Sequence, residues 1–136
     1  MSDAVPAAFV NTNILVRHLT GDPPAMAQRA TRYLRDATAL LLVDVVVAEL
    51  VYVLESYYRR PRSAVAEVLR AVIGFRAIHV VDPDLLHRAI EVYEHDRLDF
   101  PEAYLVASAE RSGVSAVVSF DRSIDRATTI RRVEPA

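Results

Sequence analysis

The sequence predicts an α/β protein, a three-layer α/β/α sandwich with a central parallel sheet. Short apolar runs that suit buried strands alternate along the chain with longer stretches whose apolar residues recur at helical spacing. Strands that alternate with helices form parallel sheets covered on both faces. The 136 residues are 52% hydrophobic and contain no repeat or linker-like tract, so we expect a single domain over residues 1–136 with a substantial core.

The first half of the chain predicts two strands and three helices. An apolar strand at residues 7–10 ends at Asn-Thr-Asn, and a helix at 14–19 stops at Gly-Asp-Pro-Pro. A second helix is predicted by apolar residues at helical spacing, which are Met26, Ala30, Tyr33, Leu34 and Ala37. A strand at 40–43 follows, and Asp44 is expected to cap the helix that runs to Tyr58.

The second half predicts three helices and three strands. Apolar residues on one helical face indicate a helix over 65–73 that ends near Gly74, and another over 85–93. A third helix is expected from Phe100 to Ser112, closed by Gly113. Residues 78–81, 116–120 and 130–133 are apolar enough to be strands.

Composition excludes several classes of function. The net charge of −2 creates no global basic field for nucleic acid, although a local patch could still bind it. Without cysteine, the chain has no disulfide, thiolate metal site or cysteine nucleophile. The three glycines form no phosphate-binding loop, and no Ser/His/Asp order suggests a triad. We see neither a signal peptide nor an apolar stretch long enough to cross a membrane, so a soluble cytoplasmic protein is expected.

Four acidic residues lie within or directly beside apolar stretches of the sequence, where a charged side chain is not expected. Glu49 interrupts an apolar run, Asp99 and Glu102 open an apolar helix, and Asp121 follows an apolar strand. A carboxylate among apolar residues is costly unless its charge is compensated. Carboxylates that converge from distant segments of a chain usually bind a divalent cation. Because sites in open α/β sheets form at the carboxyl ends of strands, we expect these four to meet in one crevice beside Asn11.

Each acid also has a purely structural interpretation. Asp99 and Glu102 match a capping box at a helix start, and Asp121 could be a turn residue. Glu49 has apolar neighbours at helical spacing that suggest a packed face, with an exposed stripe as the alternative. The four histidines have no metal-ligand spacing and are expected at the surface or its boundary.

Four short motifs, in order along nearly the whole chain, resemble those of one nuclease family. Residues 9–15 are Phe-Val-Asn-Thr-Asn-Ile-Leu, and residues 48–54 are Ala-Glu-Leu-Val-Tyr-Val-Leu. Residues 99–103 are Asp-Phe-Pro-Glu-Ala, and the stretch from Gly113 closes with Ser-Phe-Asp at 119–121. Together they resemble the PIN-domain ribonucleases, especially the VapC-type toxins of type II toxin–antitoxin pairs. Two positions depart from the family pattern, since aspartate is replaced by asparagine at 11 and by glutamate at 102.

The resemblance implies an endoribonuclease toxin that depends on Mg²⁺ or Mn²⁺, cleaves RNA, forms a homodimer and is neutralised by a cognate antitoxin. It implies no membrane partner. The catalytic residues would be Glu49, Asp99, Glu102 and Asp121. The metal ligands would be Asn11, Glu102 and Asp121, with Thr12, Asn13 and Ser119 in support. Because Asn11 brings no negative charge, activity is expected to be reduced.

Arginines near these positions are candidates for RNA binding through phosphate, namely Arg17, Arg122 and Arg126. The alternative is that all three are ordinary surface residues. For the whole chain, one alternative is a catalytically impaired PIN domain that binds RNA or protein. A flavodoxin-like or receiver-like domain is disfavoured, because the acids come from many separate elements and no lysine accompanies them.

Overall fold

The structure, a computed structural model, describes residues 8–136 and confirms the alternation of strands and helices. In chain order the elements are β1 (Ala8–Phe9), α1 (Thr12–Thr20), α2 (Pro24–Asp36), β2 (Leu40–Leu41), α3 (Asp44–Ser56), α4 (Arg62–Ile73), β3 (Ile78–His79), α5 (Pro83–His95), α6 (Phe100–Ser112), β4 (Ala116–Val118), a 3₁₀ helix (Arg122–Arg126) and β5 (Arg131–Val133). Among the described residues, no helix combines the length and apolarity that crossing a bilayer requires.

The described residues divide into two compact units, and the first comprises residues 8–59 together with Ala71–Val81. Its sheet has the order β1-β2-β3, with all neighbours parallel. Leu40 lies opposite both Ala8 and Ile78, so β2 is the central strand. Helix α1 packs against α2 and α3 over a core that includes Leu15, Leu34 and Leu50. The predicted parallel pairing is therefore present in this unit.

The second unit comprises Arg60–Arg70 and Asp82–Ala136. Strands β4 and β5 pair in parallel, and helices α5 and α6 pack along each other. The core between these helices includes Leu86, Ile90 and Tyr93. The guanidinium of Arg88 on α5 donates to both carboxylate oxygens of Glu110 on α6, at 2.7 and 3.0 Å. A bidentate ion pair thus reinforces the apolar contact between the two helices.

Every predicted strand is present but shorter than expected, and Ala7 lies outside the described residues. The first stretch, residues 7–10, was expected to be a buried strand, and this is wrong for Phe9. Phe9 is 71% exposed, whereas the next residue, Val10, is buried. Successive side chains in a strand point to opposite faces, so a run of apolar letters does not show that both faces are covered.

The helix predictions are confirmed in type and corrected at several boundaries. Helix α1 begins at Thr12, two residues earlier than expected, and α3 begins at Asp44 with Val43 as its N-cap. Asp44 is therefore not the cap. Helix α6 runs from Phe100 to Ser112 as predicted and ends at Gly113, whose φ of 75° is left-handed. Glycine adopts that conformation at no steric cost, so the sequence correctly predicted where α6 ends.

Candidate active site

Asn11 and Thr12 join β1 to α1 in the first unit. Asn11 is exposed and is the N-cap of α1, and its side-chain oxygen accepts a hydrogen bond from the Thr12 N–H at 2.7 Å. Asparagine is among the preferred N-caps, so this local structure follows from the residue type. Thr12 is only 3% exposed, and its hydroxyl has no hydrogen-bond partner within residues 8–136. A buried hydroxyl without a hydrogen-bond partner is unusual in a folded protein.

Glu49 lies on α3 and is exposed, so the prediction that it belongs to a packed face is wrong. The helix instead buries Val47 and Leu50, on either side of it in sequence. Glu49 lines an open cavity of about 320 Å³ with Thr12, Asn13 and Arg17 of α1. No hydrogen bond or ion pair within residues 8–136 involves its carboxylate. A free carboxylate that lines a cavity remains available to a cation or to water.

Asp99 and Glu102 open helix α6 in the second unit. Asp99 is the N-cap by backbone geometry, but its side chain makes no capping hydrogen bond, so the capping-box interpretation is wrong. Glu102 is half-buried, and its Oε2 is buried without a partner among the described residues. Burial raises the pKa of the Glu102 carboxyl above its ordinary value of 4.5, and the charges of Asp99 and Asp121 raise it further. The chain therefore holds a carboxylate in surroundings that disfavour its charge.

Asp121 follows β4 and has a different environment. Its carboxylate accepts hydrogen bonds from the Ser123 N–H at 2.9 Å and from the Ser123 hydroxyl at 2.6 Å. These two donors lower the pKa of Asp121, and the charges of Arg126 and Arg132 lower it further. The Ser119 hydroxyl accepts from the Asp121 N–H at 2.9 Å, which holds the turn. The turn interpretation is thus correct for the backbone, while the exposed carboxylate stays ionised.

The charges of Asp99 and Asp121 both act on Glu102, so the second unit gathers three of the four predicted acids. They do not form a closed cage, since within residues 8–136 no three acidic or histidine side chains are arranged to hold a metal ion. Repulsion between like charges opposes closer approach until a cation compensates it. The donor set, oxygen atoms only, suits hard cations such as Mg²⁺ or Mn²⁺. The orphaned Oε2 of Glu102 fits a ligand position for such an ion.

Arg62 on α4 is a residue that the sequence interpretation missed. Its guanidinium donates to the carbonyl oxygens of Tyr93, at 2.8 Å, and of Leu98, and it lies 4.5 Å from the centroid of the Tyr93 ring. Leu98 immediately precedes Asp99, so this contact anchors the start of the acidic segment. A usable signal existed. Arginine in the first turn of a helix is disfavoured by the helix dipole, which suggests that its charge has another partner.

The three arginines predicted to bind RNA differ in how many hydrogen bonds they already make within the protein. Arg126 donates to the carbonyl oxygen of Arg97 at 2.8 Å, at a residue with a φ of 58°, so it holds the turn before Asp99. Arg17 makes only a long bond to the Asp22 carbonyl at 3.4 Å. Arg122 is exposed and makes no hydrogen bond or ion pair within the described part of the chain. Arg17 and Arg122 are therefore freer to bind phosphate than Arg126.

A family model agrees with the resemblance seen in the motifs. The family model described as PIN domain matches residues 8–129, which include every candidate site residue. A VapC ribonuclease of Aquifex aeolicus (strain VF5) is 25% identical over 117 residues, covering 84% of this chain and 87% of that protein. The crystal structure of Mycobacterium tuberculosis VapC20, a sarcin–ricin loop cleaving toxin, aligns with a TM-score of 0.41 at 20% identity, over 91% of this chain and 97% of that one. This chain belongs to the PIN domain family.

Proposed function

We propose that this chain is a metal-dependent endoribonuclease toxin that cleaves RNA phosphodiester bonds. Membership of the PIN family and similarity to a VapC ribonuclease support the reaction class. The observation that carries the proposal is Glu102, whose carboxylate has a buried oxygen without a partner and a raised pKa between two further acids. Groups perturbed in this way cluster at functional sites.

The residues fit Mg²⁺ or Mn²⁺ with Glu102 and Asp121 as ligands and Asp99 completing the acidic set. A divalent cation would neutralise these carboxylates, polarise the phosphodiester and lower the pKa of the attacking water. Asp121 is kept ionised by the two donors of Ser123, so it can bind a cation without first losing a proton. Burial and the two neighbouring acids disfavour the charged form of Glu102, and a bound cation would supply the compensating charge.

The first unit is proposed to contribute to the same reaction through Glu49, Asn11 and Thr12. Glu49 has no partner within residues 8–136 and can act as a base or position water. The Thr12 hydroxyl is available to orient that water, and Ser119 of the second unit supports Asp121. Asn11 offers a carbonyl oxygen but no charge, so we expect weaker metal binding than an aspartate would give.

A second candidate function is a PIN domain that binds RNA or a protein partner without cleaving RNA. The observation that favours it is the Asn11 side-chain oxygen, which already accepts the Thr12 N–H at 2.7 Å. An amide engaged in capping is a poor replacement for an anionic ligand. In both functions RNA would be held through phosphate by Arg17 and Arg122, with a smaller part for Arg126. Such contacts are salt-dependent and largely independent of base sequence.

The family resemblance also supports two protein partners. We propose a homodimer and a cognate antitoxin that neutralises the toxin. Helix α3 and the residues after it present Tyr52 and Tyr57 to solvent, 67% and 81% exposed. Exposed tyrosines next to arginines, here Arg59 and Arg60, are favoured at protein interfaces.

The experiment is cleavage of a labelled single-stranded RNA with Mg²⁺ or Mn²⁺, and with EDTA. The parent chain should cleave slowly and only with metal, and Glu102→Gln should abolish cleavage. Glu67→Gln on the exposed side of α4 is the matched control and should cleave as the parent does. Metal-independent cleavage, or cleavage that survives Glu102→Gln, would contradict the proposal. RNA binding without cleavage, even in Asn11→Asp, would favour the second candidate.

A further inference from the structure

Helices α1 and α2 border a cavity of about 330 Å³ whose lining includes two arginines and a tyrosine. Asn13 and Arg17 face it from α1, where they are four residues apart and share one helical face. Met26, Arg29 and Tyr33 face it from α2 at spacings of three and four. The sequence pattern places Met26 and Tyr33 on the same apolar stripe as Ala30 and Leu34. The residues that α2 buries are Ala27, Ala30 and Leu34.

Two apolar side chains that line this cavity are largely exposed to solvent. Tyr33 is 59% exposed and Met26 is 50% exposed, although both lie on an amphipathic helix that packs well on its other face. Neither ring nor thioether carries a charge that would require water. Surface of this kind beside a cavity is typical of a binding site.

The charges of the lining identify the class of ligand. Arg29 makes no hydrogen bond or ion pair within residues 8–136, and Arg17 makes only the 3.4 Å bond to a carbonyl. Within residues 8–136, no acidic residue lines the cavity. Two guanidinium groups without a carboxylate partner favour an anion, and phosphate matches their planar geometry. The exposed tyrosine ring favours a flat aromatic group at the same time.

We propose that this cavity binds one unstacked nucleotide of single-stranded RNA. The base stacks on Tyr33, its phosphates pair with Arg17 and Arg29, and the Asn13 amide hydrogen-bonds the edge of the base. The inference rests on the proposed function, because it assumes that RNA is the substrate. It goes further by naming a nucleotide subsite and a single-stranded substrate.

Two observations favour RNA over other occupants. Asn13 and Arg17 also line the cavity that contains Glu49, so a strand bound at Tyr33 would lead directly toward a proposed catalytic residue. The volume of about 330 Å³ is at the small end of ligand pockets, roughly 300–1,000 Å³. That space suits a single nucleotide. A second copy of the chain or an acidic peptide are the competing occupants.

The test measures binding of a labelled single-stranded oligoribonucleotide by fluorescence anisotropy in EDTA, so that cleavage does not interfere. Tyr33→Ala should weaken binding by roughly 5- to 150-fold, the range for loss of one base–aromatic stack. Tyr33→Phe keeps the ring and should stay within about 2-fold of the parent. Arg29→Ala should weaken binding and reduce the salt slope by roughly 0.7. A perfect duplex should compete poorly, since its bases cannot unstack without cost.

Arg32→Ala is the matched control, because Arg32 is an exposed arginine on the same helix that does not line the cavity. It should weaken binding less than Arg29→Ala. A 2-aminopurine base placed in the RNA provides a direct readout of stacking, and its quenching should disappear in Tyr33→Ala. Equal binding by Tyr33→Ala and the parent, or equal effects of Arg29→Ala and Arg32→Ala, would overturn the proposal. So would a Tyr33-dependent change in oligomeric state without any change in RNA binding.

The outcome separates this subsite from the proposed function. A parent chain that binds RNA through Tyr33 but does not cleave it would refute the nuclease and keep the subsite. A parent chain that cleaves RNA, with Tyr33→Ala unchanged in binding and quenching, would refute the subsite and keep the nuclease. A parent chain that binds no RNA would refute both the subsite and the nuclease.

Discussion

The guanidinium of Arg62 donates a hydrogen bond to the carbonyl oxygen of Leu98, the residue immediately before Asp99. The same guanidinium donates to the Tyr93 carbonyl at 2.8 Å and covers the Tyr93 ring. One side chain thereby connects α4, the end of α5 and the start of the acidic segment of α6. Neither carbonyl belongs to an exposed residue, since Tyr93 and Leu98 are both fully buried.

Replacing Arg62 should therefore destabilise the protein and weaken metal binding by the acidic residues at the start of α6. Arg62→Met leaves two carbonyl oxygens without their donor, and we expect a loss of about 1–3 kcal/mol in the free energy of unfolding. Urea denaturation measures this loss, and Mn²⁺ titration of the folded variant measures its affinity for the metal. Arg60→Met, at an exposed arginine without a hydrogen bond or ion pair within residues 8–136, is the control and should change neither quantity. An Arg62→Met protein as stable as the control would show that these bonds contribute little.

Glu102→Gln should stabilise the folded protein at neutral pH while abolishing cleavage. Burial raises the pKa of Glu102 above 4.5, so the folded state binds a proton more readily than the unfolded chain. Stability then falls as the pH rises through the window between 4.5 and the raised pKa. The neutral amide avoids this loss, and a gain of about 1 kcal/mol would raise Tm by roughly 2–6 °C. Thermal unfolding without metal should show the difference at pH 7 and none below the window.

Added Mg²⁺ or Mn²⁺ should reduce this difference, because the parent gains stability by binding the cation and the variant does not. Unfolding temperatures of both proteins with and without metal give the comparison. A gap that metal does not narrow would argue against Glu102 as a ligand.

The acid limb of the pH–rate profile should follow Glu102 rather than Asp121. Two donors from Ser123 hold the pKa of Asp121 below its ordinary value of 3.8, so Asp121 is still ionised when Glu102 gains its proton. The stabilising contribution of Asp121 is present above 3.8 and disappears as the pH falls through its lowered pKa. Ser123→Ala should raise the pKa of Asp121 toward 3.8 and leave the acid limb in place. NMR titration of the side-chain carboxyl carbons assigns both pKa values, and a limb that moves with Ser123→Ala would assign it to Asp121.

Asn11→Asp should increase metal-dependent cleavage by about 10-fold or more, the scale of effects seen when groups supporting a metal are altered. Aspartate caps a helix as well as asparagine does, so stability should be retained. Cleavage rates across a Mn²⁺ titration separate tighter metal binding from faster chemistry. Gln28→Glu adds the same charge at an exposed position of α2 and should leave the rate unchanged. A similar increase in both variants would attribute the effect to net charge alone.

The proposed homodimer should depend on the exposed tyrosines of the first unit. Tyr52→Ser combined with Tyr57→Ser removes two large side chains that are 67% and 81% exposed. Sedimentation velocity at tens of micromolar should show a dimer for the parent and a monomer for the double variant. Val114→Ser, at another exposed apolar residue, is the control. A parent chain that sediments as a monomer would refute the dimer.

The sequence by itself determined the order of strands and helices, and the full extent of α6 from Phe100 to its end at Gly113. These features depend on local physics, such as helical periodicity, proline in a first turn and glycine in a left-handed cap. The four motifs also determined the family, because short signals become specific when they occur in order. The sequence also singled out the four candidate acidic residues, because each is a charge within or beside an apolar run.

Only the tertiary structure decided which surfaces are covered. Periodicity places Met26, Ala30, Tyr33 and Leu34 on one helical stripe, but the neighbouring helices decide which of them are buried. Ala30 and Leu34 are buried, whereas Met26 and Tyr33 are exposed. Glu49 is exposed and Glu102 is half-buried, although both interrupt apolar sequence. The Arg62 contacts join residues more than thirty positions apart in the chain. Burial and long-range hydrogen bonds depend on what packs alongside a residue, and that neighbour is set by the fold rather than by adjacent sequence.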